Sequence, residues 1–503
     1  MNPRRATLAV ILAAAVAACG LNEDLGNRVT TTTTAGASTT ATGDAPTTTT
    51  EVEATTTSTT EALDPVAGSA DLDDPYYPSL GNGGYDVDHY DLTLDYDLAA
   101  NTLDATAVVT STATQDLSAF NLDFTGPLTI EGVNVDGESA THDRADRELV
   151  VTPSAPIAEG DTFEVTVDYV GSPESFDSPA GLGEIGWGSN AEGSWVASEP
   201  DGASSWFPGN DHPRDKATFT FRVTVDDELE VAANGLLTDR DDNGDGTSTW
   251  TWEASDPMAT YLATVNVSDY RIVETTTSGG VAIVDFLPAD LPEGVNTPFD
   301  PTPEMMDVFV ELFGPYPFER YGAVVAPESL GFALETQTMS LFGEDLLALG
   351  SFGEIIAAHE LAHQWFGNLV SVAEWDDIWL NEGFATYAEH LWLADQAPGY
   401  DIDAEMEAIR ANPNLVVPPG DPGPTRLFHP TVYQRGALTL HALRLTVGDD
   451  TFFSIVRTWV ERFGGSHAST DDFIALSEEL SGQDLGDLFD TWLYASMIPE
   501  LPG

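Results

Sequence analysis

The sequence predicts an α+β chain of several domains, with an antiparallel β domain ahead of a mainly helical one, and three observations carry that expectation. Tyr90, Leu92, Leu94, Tyr96 and Leu98 alternate with polar residues, the period of two that turns one face of a strand into a core. Phe219, Phe221, Val223 and Val225 alternate in the same way, and turn clusters such as Asn243-Gly244-Asp245-Gly246 punctuate the region up to about Tyr270. From about Thr297 the spacing becomes helical: Met305 to Phe313 runs into a stop at Gly314-Pro315, and longer helical stretches follow. The β domain is accordingly assigned to residues 73–270, with its first strand opening near Tyr85, and the helical domain to 271–503. Asp241, Asn243 and Asp245 imitate the start of a calcium loop, but Trp252 stands at the closing position and the flanks are strand-like, so a hairpin turn is expected.

Ahead of the β domain the composition changes twice. Arg4 and Arg5 precede an apolar run, Leu8 to Val16, too short to span a bilayer, which ends in Ala17-Ala18-Cys19-Gly20. This resembles a bacterial lipoprotein signal over residues 1–19, and the resemblance implies a lipid on Cys19, export, and a membrane anchor at the outer face of a bacterial cell. Cys19 is the only cysteine, so disulfides are excluded. Residues 20–72 are dominated at first by Thr runs such as Thr30 to Thr34. Such a segment buries too little apolar surface to order and reads as a disordered tether.

Charge excludes some partners. With 84 acidic and 17 basic residues the net charge is −67, and Lys216 is the only lysine. Nucleic acid and anionic lipid headgroups are poor partners for such a surface, which repels itself unless salt screens it.

The chemistry is concentrated between Ser351 and Glu389. Ser351 and Glu354 read as an S-x-x-E capping box opening a helix that Gly367-Asn368 can stop, which puts His359, Glu360 and His363 mid-helix. A spacing of four places both imidazoles on one face, where they can share a cation, whereas Glu360 is rotated by about 100° and is left to act on water. Asp376-Asp377 precedes a second helical pattern, and Glu382, eighteen residues beyond His363, can return to complete a two-His, one-Glu open metal site.

The run from His359 through Trp365-Phe366-Gly367-Asn368 to Trp379-Leu380-Asn381-Glu382-Gly383-Phe384-Ala385 resembles the aminopeptidase N and leukotriene hydrolase family of gluzincins. The resemblance extends over about residues 80–500. It implies a thermolysin-like, mainly helical zinc catalytic domain, one zinc on His359, His363 and Glu382, and Glu360 as general base. Val432 to Ala437 is similar to the family's Y-x-K-G-A motif, with Arg435 for Lys, which implies that Tyr433 donates to the oxyanion. The segment ending Asp211-His-Pro213-Arg-Asp-Lys216-Ala-Thr-Phe219 is also family-like, and its register implies that Glu199 lines the first substrate pocket. Phe332-Ala333-Leu334-Glu335-Thr336 falls where the family has G-x-M-E-N, departing at the Gly, Met and Asn positions but keeping Glu335, the residue that binds the substrate's α-ammonium. Glu389, two turns beyond Glu382, is the candidate hydrogen-bond partner of an imidazole. Larger relatives continue with a helical C-terminal domain, and this chain, ending soon after Asp490-Thr-Trp492, is expected to be a short form without it.

The expected activity is therefore removal of N-terminal residues from peptides with a free amine. Two alternatives stand beside it. A thermolysin-type zinc endopeptidase shares the metal motif but does not need Glu335 or Glu199; a non-catalytic surface-binding lipoprotein needs none of these residues.

Overall fold

The computed structural model describes residues 63–292 and 297–503, so Cys19, the leader and the Thr runs lie outside the described residues. Residues 63–72, expected in the tether, instead belong to the β region: Val66–Ala67 pairs in parallel with Leu117–Asp123. Residues 63–84, ahead of Tyr85, strap the two domains together. Asp74 Oδ2 accepts from the backbone N–H of Trp375 at 2.9 Å, and Tyr77 Oη donates to the carbonyl of Pro424 at 2.7 Å. Contacts across some 300 residues leave no local pattern to read.

The β domain is built on an eight-stranded sheet in the spatial order Leu236–Asp242, Thr247–Ala259, Lys216–Asp226, Tyr85–Asp97, Thr102–Ala113, Thr162–Gly171, Thr129–Val135 and Glu138–Ser139. Leu92, Leu94 and Tyr96 are buried and Thr93, Asp95 and Asp97 exposed, as the alternation requires. The sheet is not wholly antiparallel as expected: Tyr85–Asp97 and Lys216–Asp226 run parallel at its centre. Strands 120 residues apart in sequence cannot declare their relative direction through alternation, which reports only burial. The Asn243–Gly246 turn is a hairpin, and its carboxylates are used locally, Asp242 Oδ1 accepting from Gly244 N and Asp245 Oδ1 from Thr247 N.

The second domain begins with a mixed sheet in the order Tyr270–Thr276, Ala282–Pro288, Ala323–Ala326, Ser340–Gly343, Ala333–Leu334, the last being a two-residue edge strand. Among the described residues it has seven helices of nine or more residues: α1 Thr302–Phe313, between the second and third of these strands, and then α2 Ser351–His363, α3 Trp379–Gln396, α4 Ile402–Arg410, α5 Pro430–Val447, α6 Asp449–Phe463 and α7 Thr470–Ser481. No helix among the described residues is long and apolar enough to cross a membrane.

The start of α2 differs from the expected capping box. Gly350, at φ 58°, is the N-cap, Ser351 is already helical, and no side chain caps the helix. A positive φ at Gly350 turns the chain out of the preceding 3-10 turn and into the helix one residue early. Glu354 instead accepts from Trp392 Nε1 at 3.2 Å, tying α2 to α3.

A pair of glycines sets the spacing of α3 and α5. A Cβ on Gly383 would lie 2.9 Å from the backbone of Gly436, and one on Gly436 would lie 2.8 Å from Gly383 Cα. Only glycine at both positions lets the helices approach this closely, which carries Glu382 and Tyr433 to the same place. Arg435, fully buried beside them, donates to the carbonyls of Trp492 (2.7 Å), Thr491 (3.1 Å) and Ala495 (2.6 Å). It anchors α5 to the last turn of the chain.

Candidate active site

His359, Glu360 and His363 project from α2, Glu382 and Glu389 from α3, Tyr433 from the first turn of α5, Glu335 from just beyond the edge strand, and Glu199 from the β domain. All eight line one cleft. The structure therefore brings together every site residue expected from the sequence, from both domains.

Ligand atoms of His359, His363 and Glu382 all lie within 4.8 Å of one another. Glu382 Oε2 is 3.1 Å from His359 Nε2 and 3.6 Å from His363 Nε2. Each imidazole is held from behind: His359 Nδ1 meets Glu389 Oε1 at 2.8 Å, as the sequence suggested, and His363 Nδ1 meets the carbonyl of Phe366 at 3.0 Å. A carbonyl only accepts, so His363 donates from Nδ1 and turns Nε2, the nitrogen available to a metal, toward Glu382. Burial alone would push Glu382 up, but hydrogen bonds and charge from both imidazoles hold it down at about 2. Conversely His359 and His363 are raised against their burial, chiefly by Glu382 with Glu389 for His359 and by Glu335 with Glu382 for His363. A low-lying carboxylate between two oriented imidazoles fits a divalent cation of the zinc type.

A second group within the same span, Glu335, Glu360 and His363, offers one imidazole and two carboxylates. It is the poorer zinc set and is better read as the rim facing substrate. Burial, with the neighbouring carboxylates, raises Glu360 to about 8, against the charges of the imidazoles. Glu360 is thus a carboxylate whose environment favours taking up a proton. Tyr433 is half-buried and stacks on His359, with ring centroids 5.8 Å apart and planes at 22°.

Glu199 and Glu335 are each 2 % exposed, and each has an oxygen, Oε1, buried without a partner among the described residues. Burial drives both carboxyl groups up, and Glu335 with Glu382 and Glu360 adds repulsion at Glu199. Leu182, Phe332, Phe352, Ile355, Ile356 and Phe428 supply apolar walls, and among the described lining residues none is Lys or Arg. Phe332, standing at the family's glycine position, is part of that wall. Sequence reasoning did not find the walls, because they come from four separate segments.

An H-E-x-x-H helix whose imidazoles meet a glutamate from the next helix, beneath a separate β domain, defines the class of mononuclear metallohydrolases with two histidines and one glutamate. Comparison with known proteins narrows this. Residues 298–492 match the peptidase family M1 domain and residues 86–262 the peptidase M1 N-terminal domain. The M1 zinc metallopeptidase of Deinococcus radiodurans, solved as a mutant bound to a Tyr-Ser-Ala substrate, is 34% identical, with a TM-score of 0.79 over 86% of this chain and 99% of that one. A two-domain M1 zinc metallopeptidase bound to L-arginine is 33% identical with a TM-score of 0.78, over 86% of this chain and 99% of that one. The chain belongs to peptidase family M1. Among curated relatives, glutamyl aminopeptidase of Bos taurus is 27% identical over 60% of this chain, and aminopeptidase M1 of Arabidopsis thaliana 28% over 58%. These matches span only 34% and 36% of those longer proteins.

Proposed function

We propose that this protein is a zinc aminopeptidase that removes N-terminal residues from peptides with a free amine. The observation that carries the proposal is the pair of buried, unpartnered carboxylate oxygens on Glu199 and Glu335 in the cleft that also holds the metal ligands. Two such carboxylates are costly to bury unless a cation joins them, and a substrate's ammonium is the cation that arrives with each turnover.

His359, His363 and Glu382 would hold the zinc, which when bound acidifies water and polarises the scissile carbonyl. Glu335 and Glu199 grip the ammonium and so set the scissile bond one residue from the chain end. Glu360 takes a proton from the attacking water and passes it to the leaving amine, so that the amine departs neutral and the new carboxyl is completed. The phenol of Tyr433 donates to the oxygen that gains charge as the carbonyl becomes tetrahedral.

The test is Glu335→Ala on matched free-amine and N-acetylated peptides. Loss of a charged partner for a desolvated ammonium costs about 2 to 5 kcal/mol, so kcat/KM for free aminoacyl amides should fall at least about thirtyfold. Cleavage of blocked peptides should hold steady or improve. A wild type that prefers blocked peptides would mean a thermolysin-type endopeptidase.

The lining also speaks to selectivity. Five glutamates and no Lys or Arg among the described lining residues leave an acidic N-terminal side chain without a cationic partner once both imidazoles are engaged at the metal site. Glutamyl and aspartyl amides should therefore be at least about thirtyfold poorer in kcat/KM than leucyl or phenylalanyl amides, on the scale of one unpaired buried charge. Equal turnover would remove like-charge exclusion from the account.

The proposal extends to location: the leader and Cys19 support a lipid anchor at the outer face of a bacterial membrane. Cys19→Ala should abolish labelling by radioactive palmitate and release the protein from the membrane fraction; labelling that persists would rule the anchor out.

A further inference from the structure

Glu335 has a second role for its backbone. Its carbonyl accepts from two side-chain amides of the segment that ends the metal-ligand helix, Asn368 Nδ2 at 2.6 Å and Gln364 Nε2 at 3.2 Å. Both residues are wholly buried. A carbonyl only accepts, so both amides must present their NH₂ groups, and together they use the two lone pairs of one oxygen. Gln364, adjacent to His363 in the chain, turns its own Oε1 to accept from the backbone N–H of Thr338 at 2.9 Å, spanning both sides of the Glu335–Thr338 turn. Thr338 sits at φ 66°, a left-handed conformation that a threonine adopts only when held there. The β domain closes the bracket: Lys216 Nζ donates to the carbonyls of Asn368 (2.7 Å) and Leu369 (2.9 Å).

Electrostatics explains why such a clamp is needed. Glu335 stands in a buried cleft with Glu199, Glu360 and Glu382, all of like charge when ionised, and follows an edge strand only two residues long. His363 attracts this carboxylate while the neighbouring carboxylates repel it, so on so short a strand its place depends on how its backbone is held. Pinning its carbonyl to the segment that follows His363 makes the anchor and the metal ligands one rigid unit.

We propose that Gln364 and Asn368 are positioning residues that fix the distance between the amine-binding carboxylate of Glu335 and the metal ligands, with Lys216 bracing Asn368 from the β domain. This inference rests on the amine-binding role proposed for Glu335. It makes the spacing from chain end to scissile bond a property of the α2 terminus as well as of Glu335 itself.

The test uses a bridging probe. Leucine hydroxamate reaches the metal and the amine anchor together, whereas acetohydroxamate reaches the metal alone; dissociation constants for both are measured by calorimetry on the zinc-loaded full chain. Gln364→Met and Asn368→Ala should each weaken leucine hydroxamate by about three- to tenfold, the worth of one hydrogen bond, with acetohydroxamate changed less than about twofold. Lys216→Met should act in the same direction, and it carries the test should the two buried substitutions prevent folding. Equal weakening of both probes, or of neither, in the folded variants overturns the inference. Wild type and Glu335→Ala are run alongside. If wild type binds N-acetyl-leucine hydroxamate as well as the free amine, the aminopeptidase reading itself fails; if only Glu335→Ala loses the distinction, the clamp alone fails.

Discussion

Glu360→Gln should lower kcat by about a hundredfold to ten-thousandfold, the range for loss of a general base, while zinc content by metal analysis stays at one per chain. The reasoning starts from helix geometry. Glu360 is neighbour to His359 on α2 but rotated away from the shared face of His359 and His363, and it meets Glu335 and His363 on the substrate side. Burial raises its carboxyl to about 8, so the group holds a proton more readily than an exposed glutamate. A divalent cation at the adjoining ligands would draw that value down toward neutrality, where a base both accepts and returns a proton. Glutamine keeps the shape and loses the proton acceptor. Loss of zinc in this variant would make Glu360 a ligand and overturn its assignment.

Tyr433→Phe should lower kcat by about a hundredfold to a thousandfold, the scale for one oxyanion donor, with KM changed little. The ring stays stacked on His359 in the variant, since the contact is between faces and not through the hydroxyl. Only the donor is lost, and it matters where charge develops, in the transition state. A parallel rise in KM would assign Tyr433 to ground-state binding, and a rate near wild type would return it to packing.

Much of the site was legible in the sequence because its chemistry is local. His359, Glu360 and His363 fall within five residues, and the pitch of the helix alone decides which of them share a face. Glu382 and Glu389 lie on the next helix and repeat on one face, so Glu389 could be named in advance as the partner of one imidazole, and the structure places it 2.8 Å from that of His359. Glu199, Glu335 and Tyr433 came from family-like motifs, and the fold brings all three to the same cleft. The alternating strands and the stop of α1 at Gly314 were likewise set by neighbours in the chain, whereas α2 ends at His363, short of the expected stop at Gly367-Asn368.

What required the tertiary structure depended on segments far apart. The capping box expected at Ser351 fails because Glu354 is recruited by Trp392 of another helix, and Gly350 takes the N-cap position instead. The parallel pairing at the centre of the large sheet and the strap at residues 63–84 follow from strand direction and interdomain contact, to which alternation is blind. Gln364 and Asn368 sit in the quoted motif, yet nothing local says that their amides converge on one carbonyl 29 and 33 residues earlier. Residue type and helical spacing alone named the groups able to bind metal and move protons, and the family resemblance added the carboxylates proposed to meet an amine. The separation of Glu335 from His359, His363 and Glu382 could not be read this way, because it depends on hydrogen bonds and glycine contacts between elements distant in the chain.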